Sequence, residues 1–238
     1  MATPHTPAAT ETAQEFYGRW ARLYDLIARR TPGIPRLRER AAAACRLDRG
    51  DTVVEMGCGT GANLPYLRDR VGPEGAVVGI DFTRPVLDRA REVTAAYDNV
   101  HVVRGDATRP PIGRDGEVSD DVPGDVDAIL ATFVVGMLDD PTGAVDDWCD
   151  FVGPGGHVVL ANAASSAEWY APPVNATFRG IVVLSTPPTT KLRYENDPTR
   201  RLDEKIGDAH ARLRERSDAI ADERHVFGVV RLTGGRIG

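Results

Sequence analysis

Glycine occupies every second position of Gly57-Cys58-Gly59-Thr60-Gly61, directly after a short apolar run, Thr52 to Met56. No other stretch constrains the fold as strongly. Thr52-Val53-Val54-Glu55-Met56 is β-branched and apolar with one carboxylate near its end, which fits a buried strand. The alternating glycines accept positive φ and let a ligand touch bare backbone. A helix follows, read as Ala62 to Arg70, and its opening turn aims unpaired N–H groups into the same space. Strand, glycine turn and helix together describe the nucleotide-contacting edge of an α/β sheet.

The rest of the chain repeats that alternation. Further strands are expected at Ala76–Ile80, Val100–Arg104, Val126–Thr132 and His157–Ala161, with helices at about Pro85–Tyr97 and Thr142–Phe151. Thr83 stands where the N-cap of the Pro85 helix belongs. Strand–helix alternation implies a doubly wound α/β fold, a mostly parallel seven-stranded-type sheet with helices on both faces. Ahead of it, Phe16, Trp20, Leu23, Tyr24 and Ile27 recur at helical spacing over Ala13–Arg30, and a second helix is expected over about Pro35–Arg46. Both read as N-terminal capping helices. Residues 1–12 read as a flexible tail, and 13–238 as one domain: caps to 47, a cofactor-binding core over 51–163, and a substrate-side region over 164–238. In that last region Arg201–Asp222 reads as a long charged helix and Val226–Leu232 as a single strand.

In a doubly wound sheet the ligand sits at the carboxyl ends of the strands. Those ends carry Glu55 to Gly61, then Asp81 and Phe82, then Asp106 and Ala107, then Thr132 and Phe133. A carboxylate at the end of the second strand suits a ribose diol, because it accepts two hydroxyl hydrogen bonds. Asp106 can receive an exocyclic amine or close an Asx turn, and both readings are open at this point. Phe82 can lie against a flat base. Cys58, inside the glycine loop, reads as a small space-filler.

In this order the segments resemble the motifs of class I S-adenosylmethionine-dependent methyltransferases. Glu55-Met56-Gly57-Cys58-Gly59-Thr60-Gly61 is similar to the first motif, Val77-Val78-Gly79-Ile80-Asp81 to the second and Gly105-Asp106-Ala107 to the third. Asp127-Ala128-Ile129-Leu130 and Gly153-Pro154-Gly155-Gly156 are similar to the fourth and fifth. The resemblance implies S-adenosyl-L-methionine as cofactor. Its methionine part would lie against Glu55, Gly57, Cys58, Gly59 and Gly61, its ribose at Asp81, and its adenine at Asp106 and Ala107; Phe82, Thr132 and Phe133 join these cofactor-binding candidates from their place at the same strand ends. Within the class, Phe16-Tyr17-Gly18-Arg19-Trp20-Ala21-Arg22-Leu23-Tyr24-Asp25 resembles the opening helix of the ubiquinone/menaquinone C-methyltransferases and related phospholipid N-methyltransferases. That likeness places Tyr17 and Tyr24 at the methyl-donor end. The quinone enzymes' closing pair of strands is not legible here.

Charge narrows the acceptor. There are 35 acidic residues against 29 basic, a net charge of −6, and Lys191 and Lys205 are the only lysines. Such a balance does not steer a protein toward nucleic acid. Ala131-Thr132-Phe133-Val134 also lacks the (Asn/Asp)-Pro-Pro-(Tyr/Phe) loop of base-amine methylases. An acceptor that is a small molecule or lipid-like is expected: a quinone precursor, a phospholipid amine or another metabolite. The acidic, arginine-rich composition suits a host with high internal salt, or alternatively a GC-rich genome. Three dispersed cysteines point to reduced thiols and a cytoplasmic protein. No run approaches the ~20 apolar residues of a membrane span, leaving peripheral contact as the expected membrane role. No metal-ligand spacing is evident. Two other functions fit the same loop: a regulator that binds the cofactor without turnover, and a nicotinamide-dependent dehydrogenase. The G-x-G-x-G spacing, without the final glycine of G-x-G-x-x-G, disfavours the latter.

Overall fold

The computed structural model describes residues 33–112, 125–166, 168, 171–185 and 198–238. Helix α1 spans Ile34–Ala44 and is followed by β1 Thr52–Met56, α2 Leu64–Val71, β2 Ala76–Asp81, α3 Arg84–Thr94 and β3 Val100–Arg104. After 113–124 come β4 Ala128–Thr132, a one-turn 3-10 helix Val135–Met137, α4 Pro141–Val152 and β5 His157–Ala163. The chain ends with α5 Ala171–Ser185, α6 Pro198–Glu215, β6 Ser217–His225 and β7 Val230–Ile237. The helix expected over Ala13–Arg30 and the acidic stretch 113–124 lie outside the described residues.

The seven strands form one sheet in the order β3-β2-β1-β4-β5-β7-β6. β1 to β5 pair in parallel, whereas β7 runs antiparallel to both neighbours. The chain winds outward from β1 to β3, then returns to place β4 on the other side of β1. That reversal opens a crevice at the carboxyl ends of β1 and β4.

Every residue of β1 is buried, as befits a central parallel strand covered on both faces. Its side chains alternate between two cores. Val54 and Met56 join Ile129, Leu160 and Trp148 on the α4–α6 face. Val53 joins Leu37, Leu64, Leu67 and Leu130 on the α1–α2 face. Glu55 shares parity with Val53, so the strand period puts its carboxylate on the side where α2 begins.

The C-terminal reading needs correction. The charged helix stops at Glu215 instead of Asp222, and Ser217–His225 is a strand paired to β7. The closing strand pair is therefore present. β6 is the sheet edge and is exposed along most of its length, so its side chains show no apolar alternation. Its charges serve tertiary contacts instead: Asp222 pairs with Arg214 of α6, and Glu223 with Arg40 of α1. Val226–Leu232 is not one strand either. Residues 226–229 form the β6–β7 turn, and β7 starts at Val230.

Candidate functional site

The glycine loop is tied down on two sides. Cys58 N–H donates to the Ile80 carbonyl at 2.9 Å, fixing the loop to the end of β2. Gly59 N–H donates to Asp81 Oδ2 at 3.1 Å, and Thr83 N–H donates to Oδ1 of the same carboxylate at 2.8 Å. Burial raises the Asp81 pKa, against the pull of those two N–H groups. Thr83 does hold the N-cap position of α3, but its side chain makes no capping bond; Asp81 receives the Thr83 N–H instead.

The three glycines are required for different reasons. All have positive φ, at 67°, 53° and 73° for Gly57, Gly59 and Gly61. A Cβ on Gly57 would lie 2.3 Å from Val134 Cγ2, and one on Gly61 would lie 2.9 Å from Ala90 Cβ. Those two are glycine because protein packs against them. Among the described residues, a Cβ on Gly59 would meet nothing within 4 Å. Of the three, only the middle glycine faces space that no described residue fills, and that space adjoins Asp81. Cys58 is buried, its thiol pKa is pushed well up by desolvation, and its Sγ lies where Gly79 leaves no room for a side chain. It is a packing residue, as the sequence suggested.

Glu55 is fully buried at the end of β1. Its Oε1 accepts from Asn63 Nδ2 at 2.5 Å and from Thr132 Oγ1 at 3.2 Å, and Asn63 Nδ2 also donates to Thr132 Oγ1 at 2.9 Å. Oε2 is buried with no hydrogen-bond partner among the described residues. Desolvation pushes the Glu55 pKa up to about 7, opposed by the Asn63 and Thr132 bonds. Asn63 was not singled out from sequence. It holds the N-cap position of α2, yet its side chain makes no cap bond and turns to Glu55 instead. Its signal was its place, the first cap-type residue behind the glycine loop.

Asp106 closes a local turn: Oδ1 accepts both the Thr108 N–H at 2.9 Å and the Thr108 hydroxyl at 2.8 Å. The Asx reading therefore holds, with both bonds on one oxygen. Ala107 is pinned from below, because the fully buried Trp148 of α4 donates its indole N–H to the Ala107 carbonyl at 2.8 Å. Phe133, next to Thr132, is left-handed at φ 59° and donates its N–H to the Ala161 carbonyl at 2.8 Å. Phe82 is exposed beside Asp81. The structure thus gathers Glu55, Gly57, Cys58, Gly59, Gly61, Asp81, Phe82, Asp106, Ala107, Thr132 and Phe133 at the carboxyl ends of β1 to β4. Tyr17 and Tyr24 lie outside the described residues. A cavity of about 680 Å³ lined by Asp51, Asp127 and His157 opens at the opposite, amino-terminal edge, where the chain has gathered none of these groups.

Residues 54–158 match the family model described as a methyltransferase domain. The strand order and the antiparallel β7 extend the likeness beyond that segment. A crystal structure of a SAM-dependent methyltransferase from Aquifex aeolicus superposes with a TM-score of 0.58, at 19% identity, over 93% of this chain and 98% of that one. Over residues 54–158 the chain is similar to methyltransferase domains, and its fold is that of the SAM-dependent methyltransferases.

Relatives of the methyltransferase domain include a phosphatidylethanolamine N-methyltransferase of Cereibacter sphaeroides, 32% identical over 61% of this chain and 65% of that protein. A demethylmenaquinone methyltransferase of Staphylococcus aureus is 38% identical over 31% of each chain. The matches thus span less than two thirds of either relative's own length. Among the described residues no helix is long and apolar enough to cross a membrane.

Proposed function

We propose that this protein transfers a methyl group from S-adenosylmethionine to a small or lipophilic acceptor, such as a quinone precursor or a phospholipid amine. The observation that carries the reading is the open space over Gly59 beside the Asp81 carboxylate. The donor set fits the cofactor. Asp81 offers a ribose diol two acceptor oxygens, and the unpartnered Glu55 Oε2 suits a group that brings its own donors, as an ammonium does. A pyrophosphate, acceptor-only and anionic, fits this acidic edge poorly. Asp106, Ala107 and Phe82 would hold the adenine end, and Thr132 with Phe133 the sulfur end.

S-adenosylmethionine, when bound, supplies an electrophilic methyl group on a cationic sulfur. What the chain's own residues contribute is placement and exclusion of water. The Gly59–Asp81 and Cys58–Ile80 bonds hold the loop at a fixed height above the sheet. The Glu55–Asn63–Thr132 cluster holds the floor between β1 and β4, so that one carboxylate oxygen keeps a fixed direction.

The test is transfer of labelled methyl from S-adenosylmethionine to a panel containing demethylmenaquinol and phosphatidylethanolamine. Label in at least one acceptor supports the proposal. Tight cofactor binding with no transfer to a broad panel would show a binding protein without turnover.

A further inference from the structure

Asn63 stands at the N-cap position of α2 but is relieved of the usual duty there. A cap side chain accepts from the N–H of the second or third helical residue. In α2 the second is Pro65, which has no N–H, and the third, Tyr66, donates its N–H to the Asn63 backbone carbonyl at 2.9 Å. The side-chain amide is left for other groups, and both of its N–H bonds are spent on the site. Nδ2 donates to Glu55 Oε1 at 2.5 Å and to Thr132 Oγ1 at 2.9 Å.

The Thr132 hydroxyl, having accepted from Asn63, donates its own hydrogen to Glu55 Oε1 at 3.2 Å. Two donors thus converge on Oε1 and fill its lone pairs, whereas Oε2 is buried and receives none among the described residues. An ionised carboxylate spreads its charge over both oxygens and calls for donors on both. A carboxylic acid has one oxygen that accepts and one that carries hydrogen. The cluster matches the second form, with the proton on Oε2.

The surroundings agree with that form. Glu55 is fully buried, and burial is the main force that keeps a proton on it, ahead of the opposing bonds from Asn63 and Thr132. Of the charged groups that bear on it among the described residues, Arg38 of α1 favours the carboxylate and Asp81 of β2 disfavours it. The thiols of Cys45, just after α1, and of Cys58 in the glycine loop are held neutral by their own burial.

We infer that Glu55 carries a proton on Oε2 in the protein alone and gives it up when the ammonium of the cofactor's methionine part arrives, with Asn63 as the positioning residue that leaves Oε2 open. The inference rests on the methyl-transfer reading, which brings the ammonium. The Oε2–H bond breaks, the proton passes to solvent, and an ammonium N–H donates to the oxygen it leaves. A neutral acid and a cation become an ion pair and a free proton, so charge is conserved and binding tightens as pH rises.

The experiment is calorimetric titration of S-adenosylhomocysteine, which carries the same ammonium, into the full chain in phosphate and in Tris. The two buffers differ in heat of ionisation, so the difference in observed heat counts the protons released. At pH 7 wild type releases about half a proton per site, and its affinity is about tenfold higher at pH 8 than at pH 6. Glu55→Gln keeps an oxygen for Asn63 and Thr132 and binds with the same heat in both buffers, once the buffers' own heats are subtracted. Asn63→Ala withdraws a donor from Oε1, so Glu55 holds its proton more tightly and the release at pH 7 moves toward one proton. Thr132→Val, which removes the hydroxyl at nearly equal size, shifts the count the same way. A residue that merely packs would change affinity without changing that count. Equal heats for wild type in the two buffers overturn the inference, as does release that persists in Glu55→Gln or is unchanged in both Asn63→Ala and Thr132→Val. In each of those cases S-adenosylhomocysteine still binds and the methyl-transfer reading stands, whereas no binding by wild type removes that reading and the inference with it.

Discussion

The Gly59 backbone N–H donates to Asp81 Oδ2 at 3.1 Å, so the glycine loop after β1 is held by the residue that ends β2. Asp81 thereby orders the loop while offering oxygen to the space above it. Replacing it with alanine removes the acceptor of both the Gly59 and the Thr83 N–H. The expected loss for the protein without cofactor is about 2 kcal/mol, since bonds to a charged acceptor are worth more than neutral ones. Urea unfolding of Asp81→Ala measures it, and unchanged stability would show that the loop does not depend on this carboxylate.

Gly57 and Gly59 separate packing from binding. Gly57→Ala drives a methyl into Val134, and Gly57→Ala with Val134→Ala regains part of the loss. Gly59→Ala meets no atom of the described residues, so its cost is that of the left-handed backbone, about 1–2 kcal/mol. Thermal melts should therefore rank Gly57→Ala below Gly59→Ala. Cofactor affinity measured on folded protein should fall for Gly59→Ala, whose methyl fills the opening.

Glu55 makes stability depend on pH. Its folded pKa of about 7 lies above the unfolded value of 4.5, so the stabilisation it gives is complete below about pH 4.5 and is lost as pH rises through 7. Glu55→Gln mimics the protonated form and keeps an oxygen for Asn63 and Thr132. Its stability relative to wild type should improve by about 2–3 kcal/mol between pH 5 and pH 8. Urea titrations of both proteins at the two pH values check the difference, and parallel pH profiles would contradict it.

His210 has the opposite sign. It is buried in α6, with Nδ1 2.7 Å from Thr233 Oγ1 of β7 and Nε2 3.3 Å from Asn162 Oδ1 of β5. Burial first, then Arg214 and Arg231, lower its pKa to about 4, against Asp222. A depressed pKa gives stability that is full above about pH 6.5 and is lost as pH falls through 4. Wild type should lose about 2 kcal/mol between pH 7 and pH 5 from this group, a loss that His210→Gln does not share.

Much of this site was legible because it is local. The glycine spacing, the β1 pattern and the acids at Asp81 and Asp106 each sit within a few residues of the strand that positions them. What escaped depends on partners distant in sequence. Asn63 and Trp148 were not singled out: only the fold brings Glu55 and Thr132 to Asn63, and Trp148 holds the Ala107 carbonyl across 41 positions. β6 was taken for helix because an edge strand has no buried face to impose alternation, and its cohesion comes from β7 and from arginines on α1 and α6.

Calorimetric titration of S-adenosylhomocysteine into wild type and Asp81→Ala tests the central claim most directly. Saturable binding to wild type, weakened about tenfold or more in the variant, is the expected result. No binding by wild type, equal affinity in both proteins, or binding of NAD in its place would contradict it.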